Sequence, residues 1–263
     1  MKKMLVIVLA LALLCTLAIG TTLSYFTDDD FNTNTMTVGN VEIEQHEVFV
    51  ANSSLLPYNG DPTKAEAESD ITFDPAKNAV VKTVTVENTG SEAAYIRTLF
   101  AFEGVKVENS NTYIDPVAHA EGTAPIIHVD HNDDKVGTWA YMGSVKIDAV
   151  DYFVYSFTYK AAVPAPVAGA QDNTASTTAP SLKAIALDCD QGNAFFDAVG
   201  ADYNILVLSQ AVQVTGFAPA ENATAEEQAA AIAAAFTAAF PLDKDSEDNA
   251  TVIPATWFEQ TQG

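Results

Sequence analysis

Four histidines, His46, His119, His128 and His131, are the side chains of this chain best suited to metal or acid–base chemistry. Two of them open the densest polar cluster, HVDHNDD from His128 to Asp134. A zinc peptidase helix needs H-E-x-x-H, two imidazoles one helical turn apart with a glutamate base between them. Here two residues separate the imidazoles, Asp130 replaces any glutamate, and PIIHVDHNDD reads as a strand running into a turn. A solvated turn is the expectation, not catalytic zinc. Asp130, Asn132 and Asp134 alternate as calcium ligands do in an EF-hand loop. The sixth position, where that loop needs glycine, is Lys135, and the twelfth is Tyr141 instead of glutamate. The three are therefore weak candidates for calcium through their oxygens, outside any EF-hand. Asp243, Asp245 and Glu247 form a second acidic string that also lacks the glycine.

Cys189 lies between Asp188 and Asp190, whose charges disfavour a thiolate nucleophile. G-x-S-x-G, the phosphate loop and the dinucleotide fingerprint are all missing from the sequence. The reading is a non-enzyme without a resident cofactor, calcium being the one ion its oxygens suit. A net charge of −23 argues against nucleic acid and anionic membrane as partners. It favours cations, basic partners or plain solubility.

The elements that would position these residues are mostly strands. In TVGNVEIE, Val41 and Ile43 alternate with Glu42 and Glu44, and Gly39-Asn40 marks a kink. VVKTVTVENTG places Val84 and Val86 inward and Thr83, Thr85 and Glu87 outward, then turns at Asn88-Thr89-Gly90. AAYIRTLFAFEG sets Ile96, Phe100 and Phe102 on one face against Tyr95, Arg97 and Leu99 on the other. Phe153, Tyr155, Phe157 and Tyr159 share a face, as do Leu206, Leu208, Val212 and Val214. This period-two alternation predicts half-buried antiparallel strands, one face on a core and one toward water. With no βαβ rhythm, the fold class is all-β, a jelly-roll-like antiparallel β-sandwich with long surface loops. Val163 to Ser181, rich in Pro, Ala, Ser and Thr, predicts one such loop. One helix stands out near residues 225–240. Thr224 and Glu227 make a capping box, Ile232, Phe236 and Phe240 make an apolar stripe, and Pro241 stops it. The stripe predicts a helix docked on its own sandwich.

The amino terminus reads as a leader. Lys2 and Lys3 precede an apolar run, Met4 to Ile19, shorter than the about 20 residues a transmembrane helix needs. Thr22 and Ser24 are small, so residues 1–24 are expected to be a secretory signal peptide cut between Ser24 and Tyr25. An uncleaved anchor is the alternative. Removal of Lys2 and Lys3 takes the charge to −25 and leaves Cys189 without a cysteine partner in the chain.

Together these pieces resemble a known family. A hydrophobic leader, SYFTD, and then MTVGNVEIE is similar to the start of the TasA/camelysin family of exported bacterial proteins. VKTVTVENTGSEAAYIRTLFAFEG, YFVYSFTYKA with TTAPSLKAIAL, and ILVLSQAVQVTGF follow in that family's order and reach Phe217. The resemblance implies a jelly roll, processing by a SipW-type signal peptidase, and secretion to the extracellular matrix or cell surface. It implies a structural subunit of biofilm fibres, with itself as partner in a homopolymer and other matrix or cell-wall proteins as further partners. The amino-terminal segment, residues 25–36, would leave its own subunit and add as a strand to the next, with Tyr25, Phe26, Phe31 and Met36 as anchors. Residues 37–263 would form the sandwich. A non-polymerising surface protein and a camelysin-like metalloprotease are the alternatives, the second without a zinc motif in this sequence. The resemblance says nothing of the chain after Phe217.

Overall fold

β-Branched and aromatic side chains in alternation favour a pleated, packed surface, and they make most of this chain extended. The computed structural model describes residues 35–38, 40–50, 73, 79–107, 109–117, 126–169, 174–187, 203–244 and 251–258. The expected leader, Ser24, Tyr25, Phe26, Phe31, His119, Cys189, Asp245 and Glu247 lie outside the described residues.

The strands are β1 (Thr35–Val38), β2 (Ile43–Val50), β3 (Ala79–Asn88), β4 (Ala94–Glu103), β5 (Val105–Lys106), β6 (Tyr113–Ile114) and β7 (Ile127–His131). Next come β8 (Gly137–Ile147), β9 (Val150–Tyr159), β10 (Leu182–Leu187) and β11 (Ile205–Gln213). The helix α1 (Ala225–Ala239) and the short strands β12 (Asp243–Lys244) and β13 (Thr251–Val252) complete the order. A five-stranded sheet runs β1-β11-β4-β9-β8, and a four-stranded sheet runs β2-β3-β10-β7. Every pairing in the two sheets is antiparallel except β1 with β11, which is parallel. The fold is therefore the all-β sandwich that the alternation implies.

Between the sheets lies one apolar cluster. Val41, Ile43, Val84, Val86 and Leu182 enter it from one side, and Ile96, Phe100, Phe102, Phe157 and Ala211 from the other. The inward faces of β3, β4 and β9 are those expected. The outer face of the five-stranded sheet differs from expectation. On β4 it was to face water, yet Tyr95 and Leu99 are buried there, and the apolar face of β11 with Leu208 and Val212 joins them in a second cluster with Ile232, Phe236, Phe240 and Trp257. The region after Phe217 thus forms a third layer. Its helix is capped as read: Thr224 Oγ1 accepts from the Glu227 amide at 3.2 Å, and the Thr224 amide donates to Glu227 Oε2 at 2.8 Å. The stripe Ile232, Phe236 and Phe240 docks on the chain's own sheet. Among the described residues no helix is long and apolar enough to cross a membrane.

The stretch from Val163 to Ser181 is less free than its composition implies. Val163 bridges Ala94, Thr177 bridges Glu87, and Ser176 and Ser181 are buried. Its backbone supplies acceptors that buried side chains need: Asn88 Nδ2 donates to Val163 O at 3.1 Å, and the Tyr159 hydroxyl to Ala179 O at 2.6 Å. Val167, 72% exposed, is the part that behaves as a loop tip.

Gly137 opens β8 where β9 passes closest. A Cβ there would meet the ring of Phe157 and approach Thr158 O to 2.9 Å. Phe157 is fully buried and has no room to yield. Gly137→Ala should destabilise the protein by about 1–3 kcal/mol, as overpacking does, read as a lowered urea midpoint with unchanged slope. A midpoint equal to wild type would show that the ring moves freely.

Candidate functional site at the sheet edge

The expected anchor Met36 lies in β1, so its position is set by its own chain. β1 pairs Thr35 with Ser209, Met36 with Gln210, Thr37 with Ala211 and Val38 with Val212. Met36 packs against the outer cluster, while Thr37 and Val38 are exposed. Thr35 and Met36, expected in the donated segment, are thus paired within the sheet of their own chain. After β1 the chain crosses to the other sheet, where Asn40 is fixed by its amide on Gln213 Oε1 (2.9 Å) and by Nδ2 on Ser91 Oγ (3.1 Å). The kink expected at Gly39-Asn40 falls at this crossing, and Gly39 itself lies outside the described residues.

Among the described residues β1 borders the five-stranded sheet, paired with β11 on one side. The other borders are β8, β2 and β7. β2 carries Glu44, His46 and Glu47; β7 carries Asp130 and His131; β8 carries Lys146. β1, Thr-Met-Thr-Val, carries no charged side chain. Charges on edge strands oppose pairing with another chain, so β1 is the border where such opposition is weakest.

Behind β1 a polar chain crosses the apolar core. Lys82 Nζ, with its side chain 3% exposed, is 2.8 Å from Glu47 Oε2. Gln45 Nε2 donates to Glu47 Oε1 at 2.7 Å, and Ser209 Oγ donates to Gln45 Oε1 at 2.5 Å. Thr98 Oγ1 lies 3.4 Å from Ser209 Oγ. These contacts join β3 and β2 of one sheet to β11 and β4 of the other. The signal was present: Lys82 has the same parity as Val84 and Val86, which alternation turns inward.

On the opposite face of β11 sits Arg97. Its Nε donates to Gln210 Oε1 at 2.6 Å, and its guanidinium lies over Phe236 at 4.6 Å, Trp257 at 5.9 Å and Phe240 at 6.0 Å. Burial pushes its pKa down to about 10, so it remains a cation at neutral pH. A desolvated cation over aromatic faces is worth up to about 2 kcal/mol. Sequence pattern placed Arg97 beside Tyr95 and Leu99, and gave no sign that rings from the carboxy-terminal region would cover it.

The strand-into-turn pattern is present, with β7 ending at His131 and a turn at 134–136, but the histidines are not solvated as expected. His128 is 2% exposed within β7, and the His131 ring lies parallel to Trp139, 5.1 Å between centroids. Three residues apart on a strand, the two rings leave from opposite faces and do not converge. Two of the calcium candidates turn to other partners: Asp130 lies 3.8 Å from Lys183, and Asn132 Nδ2 donates to Pro180 O at 2.8 Å. Among the described residues no three His, Cys, Asp or Glu side chains gather as a metal site.

Compared with protein families, curated proteins and solved structures, the chain finds no match in any of the three.

The polar chain makes a sharp prediction. Lys82→Met strands Glu47 against the core and should cost about 3–5 kcal/mol, the penalty for breaking a buried pair from one side. Lys82→Met with Glu47→Leu should recover most of that loss. Urea titrations of both variants check it. Equal losses in the single and double variants would show that Lys82 matters for packing alone.

Proposed function

We propose that this chain is a secreted structural subunit that polymerises into fibres of an extracellular matrix. On this reading residues 1–24 are removed after export, and residues 25–34 add as a strand to the uncharged β1 edge of the next subunit. The observation that carries it is the contrast between β1 and the charged borders β2, β7 and β8. A strand adding to a sheet edge gains main-chain hydrogen bonds, and Tyr25, Phe26 and Phe31 supply side chains for pockets. The contact is head-to-tail, so it propagates instead of closing. The family resemblance supports the same reading.

The acidic surface sets the conditions. Subunits of charge −25 after processing repel one another over a Debye length of about 8 Å at physiological salt. Fibre growth should be slow at neutral pH and low salt. It should quicken as pH falls toward the carboxylate range near about 4.

Protein beginning at Tyr25 and protein beginning at Thr35 separate the readings. Electron microscopy and light scattering should show fibres from the first and none from the second, with matching circular dichroism. Val38→Lys, which puts a charge on the exposed β1 edge, should also stop growth without unfolding the sandwich. Equal fibres from all three proteins would overturn strand addition at β1. Monomers from every form, at all pH values, would favour a non-polymerising surface protein, for which the net charge alone suffices.

A further inference from the structure

The region after Phe217 is more than a cover. Three residues stand in one row across adjacent strands: Met36 on β1 opposite Gln210 on β11, and Gln210 opposite Arg97 on β4. Their contacts run in series. The rings of Phe236, Phe240 and Trp257 surround the Arg97 guanidinium. Arg97 Nε takes the carbonyl oxygen of the Gln210 amide. That leaves the amide's NH2 turned to Met36, with Nε2 3.7 Å from the thioether sulfur. Gln210 is fully buried, so its orientation is dictated by these neighbours and not by water.

We propose that the carboxy-terminal layer is a clamp that fastens β1 to its own sheet through Arg97 and Gln210. β1 needs one. It is four residues long and, among the described residues, lies at an edge and pairs with a single neighbour in parallel, the weaker ladder per residue. Short isolated pairings are marginal in water. Met36 is its half-buried side chain on the outer cluster, and that cluster is completed by Ile232, Phe236, Phe240 and Trp257. The Arg97 cation gives the docking a fixed point. A planar guanidinium lies flat against rings while its Nε keeps one donor in the sheet plane, which a lysine ammonium cannot do. Seating of the helix therefore orients Arg97, Arg97 orients Gln210, and Gln210 meets Met36. The fibre reading adds a use, and this part rests on it: β1 is both the base of the donated segment and the edge that receives the next one. Tension along a fibre would enter every subunit through this strand.

Hydrogen exchange on the processed full chain tests the clamp without requiring fibres. Arg97→Lys keeps the charge and removes the planar guanidinium and its Nε donor. Trp257→Leu loosens the ring box from the far side, on a segment remote in sequence from β1. In both, amides of residues 35–38 should exchange at least about tenfold faster, while those of β3 and β10 in the facing sheet keep wild-type protection. Wild-type exchange at β1 in both variants would overturn the clamp. So would equal acceleration in every strand, since the variants would then act on the whole fold. Should Arg97→Lys prove unstable, Trp257→Leu alone decides by the same two criteria. Fibre length provides the second readout. Shorter fibres from the variants support the use in assembly. Loosened β1 in a protein that makes no fibres at all leaves the clamp standing and removes the fibre reading.

Discussion

Burying both faces of the five-stranded sheet is the constraint on which the rest of the molecule depends. β4 and β11 carry apolar side chains at consecutive positions, so neither strand has a face fit for water. Ile96, Phe100 and Phe102 need the facing sheet, and Tyr95, Leu99 and Ala101 need something else. A two-layer sandwich would leave the second set exposed as a contiguous apolar patch, which monomeric proteins seldom tolerate. The carboxy-terminal layer resolves this. Its capping box fixes where the helix starts, and its apolar stripe at four-residue spacing turns Ile232, Phe236 and Phe240 onto that patch. Arg97 is the one cation among these apolar groups, and rings satisfy it where a buried carboxylate would bring its own desolvation cost.

The inner core meets the opposite difficulty, polar groups where apolar ones would pack. Lys82, Glu47, Gln45, Ser209 and Thr98 occupy inward positions of four strands and join end to end. A buried ion pair adds little net stability over apolar residues of the same shape. What it adds here is a penalty for misalignment. A slip of one residue between β2 and β3 turns Gln45 and Glu47 to the outer face and strands Lys82, because side chains alternate with period two. The same logic holds at Asn88. Fully buried at the β3–β4 turn, it satisfies Glu92 O, Val163 O and the Gly90 amide at once, so turn and distant loop fix each other's place.

What the sequence disclosed follows from which interactions are local. Strand faces in β3, β4, β9 and β11 were legible because alternation is a property of neighbouring residues. The helix was legible because Thr224, Glu227 and Pro241 lie within it or against its ends. The third layer was not, since an apolar outer face on β4 shows only as a long apolar run until its partner, more than a hundred residues later, is placed. His128 and His131 misled for a related reason. The strand-into-turn reading holds, with β7 ending at His131 and a turn at 134–136, but β10 pairs with β7 through Ile127 to His131, and His128 is buried where a solvated site was expected. Of the edge site, Met36 was named from its type alone. The lack of charge on Thr-Met-Thr-Val gained meaning only when topology put β1, β2, β7 and β8 at the borders.

On the proposed fibre reading, charge and edge together would let subunits stay dispersed and still join at β1. A net charge of −23 holds copies apart beyond the range of strand pairing, and Glu44, Glu47 and Asp130 stand on two of the borders that would otherwise template aggregation. β1 lacks that protection, and a four-residue strand offers too few hydrogen bonds to overcome the repulsion unaided. Joining there requires added free energy from side chains or a fall in charge from protons or salt. A border that is uncharged, short and fastened from behind suits a contact that forms only under chosen conditions. On the proposed fibre reading, such a contact would load the Met36–Gln210–Arg97 row, which the carboxy-terminal rings cover from behind.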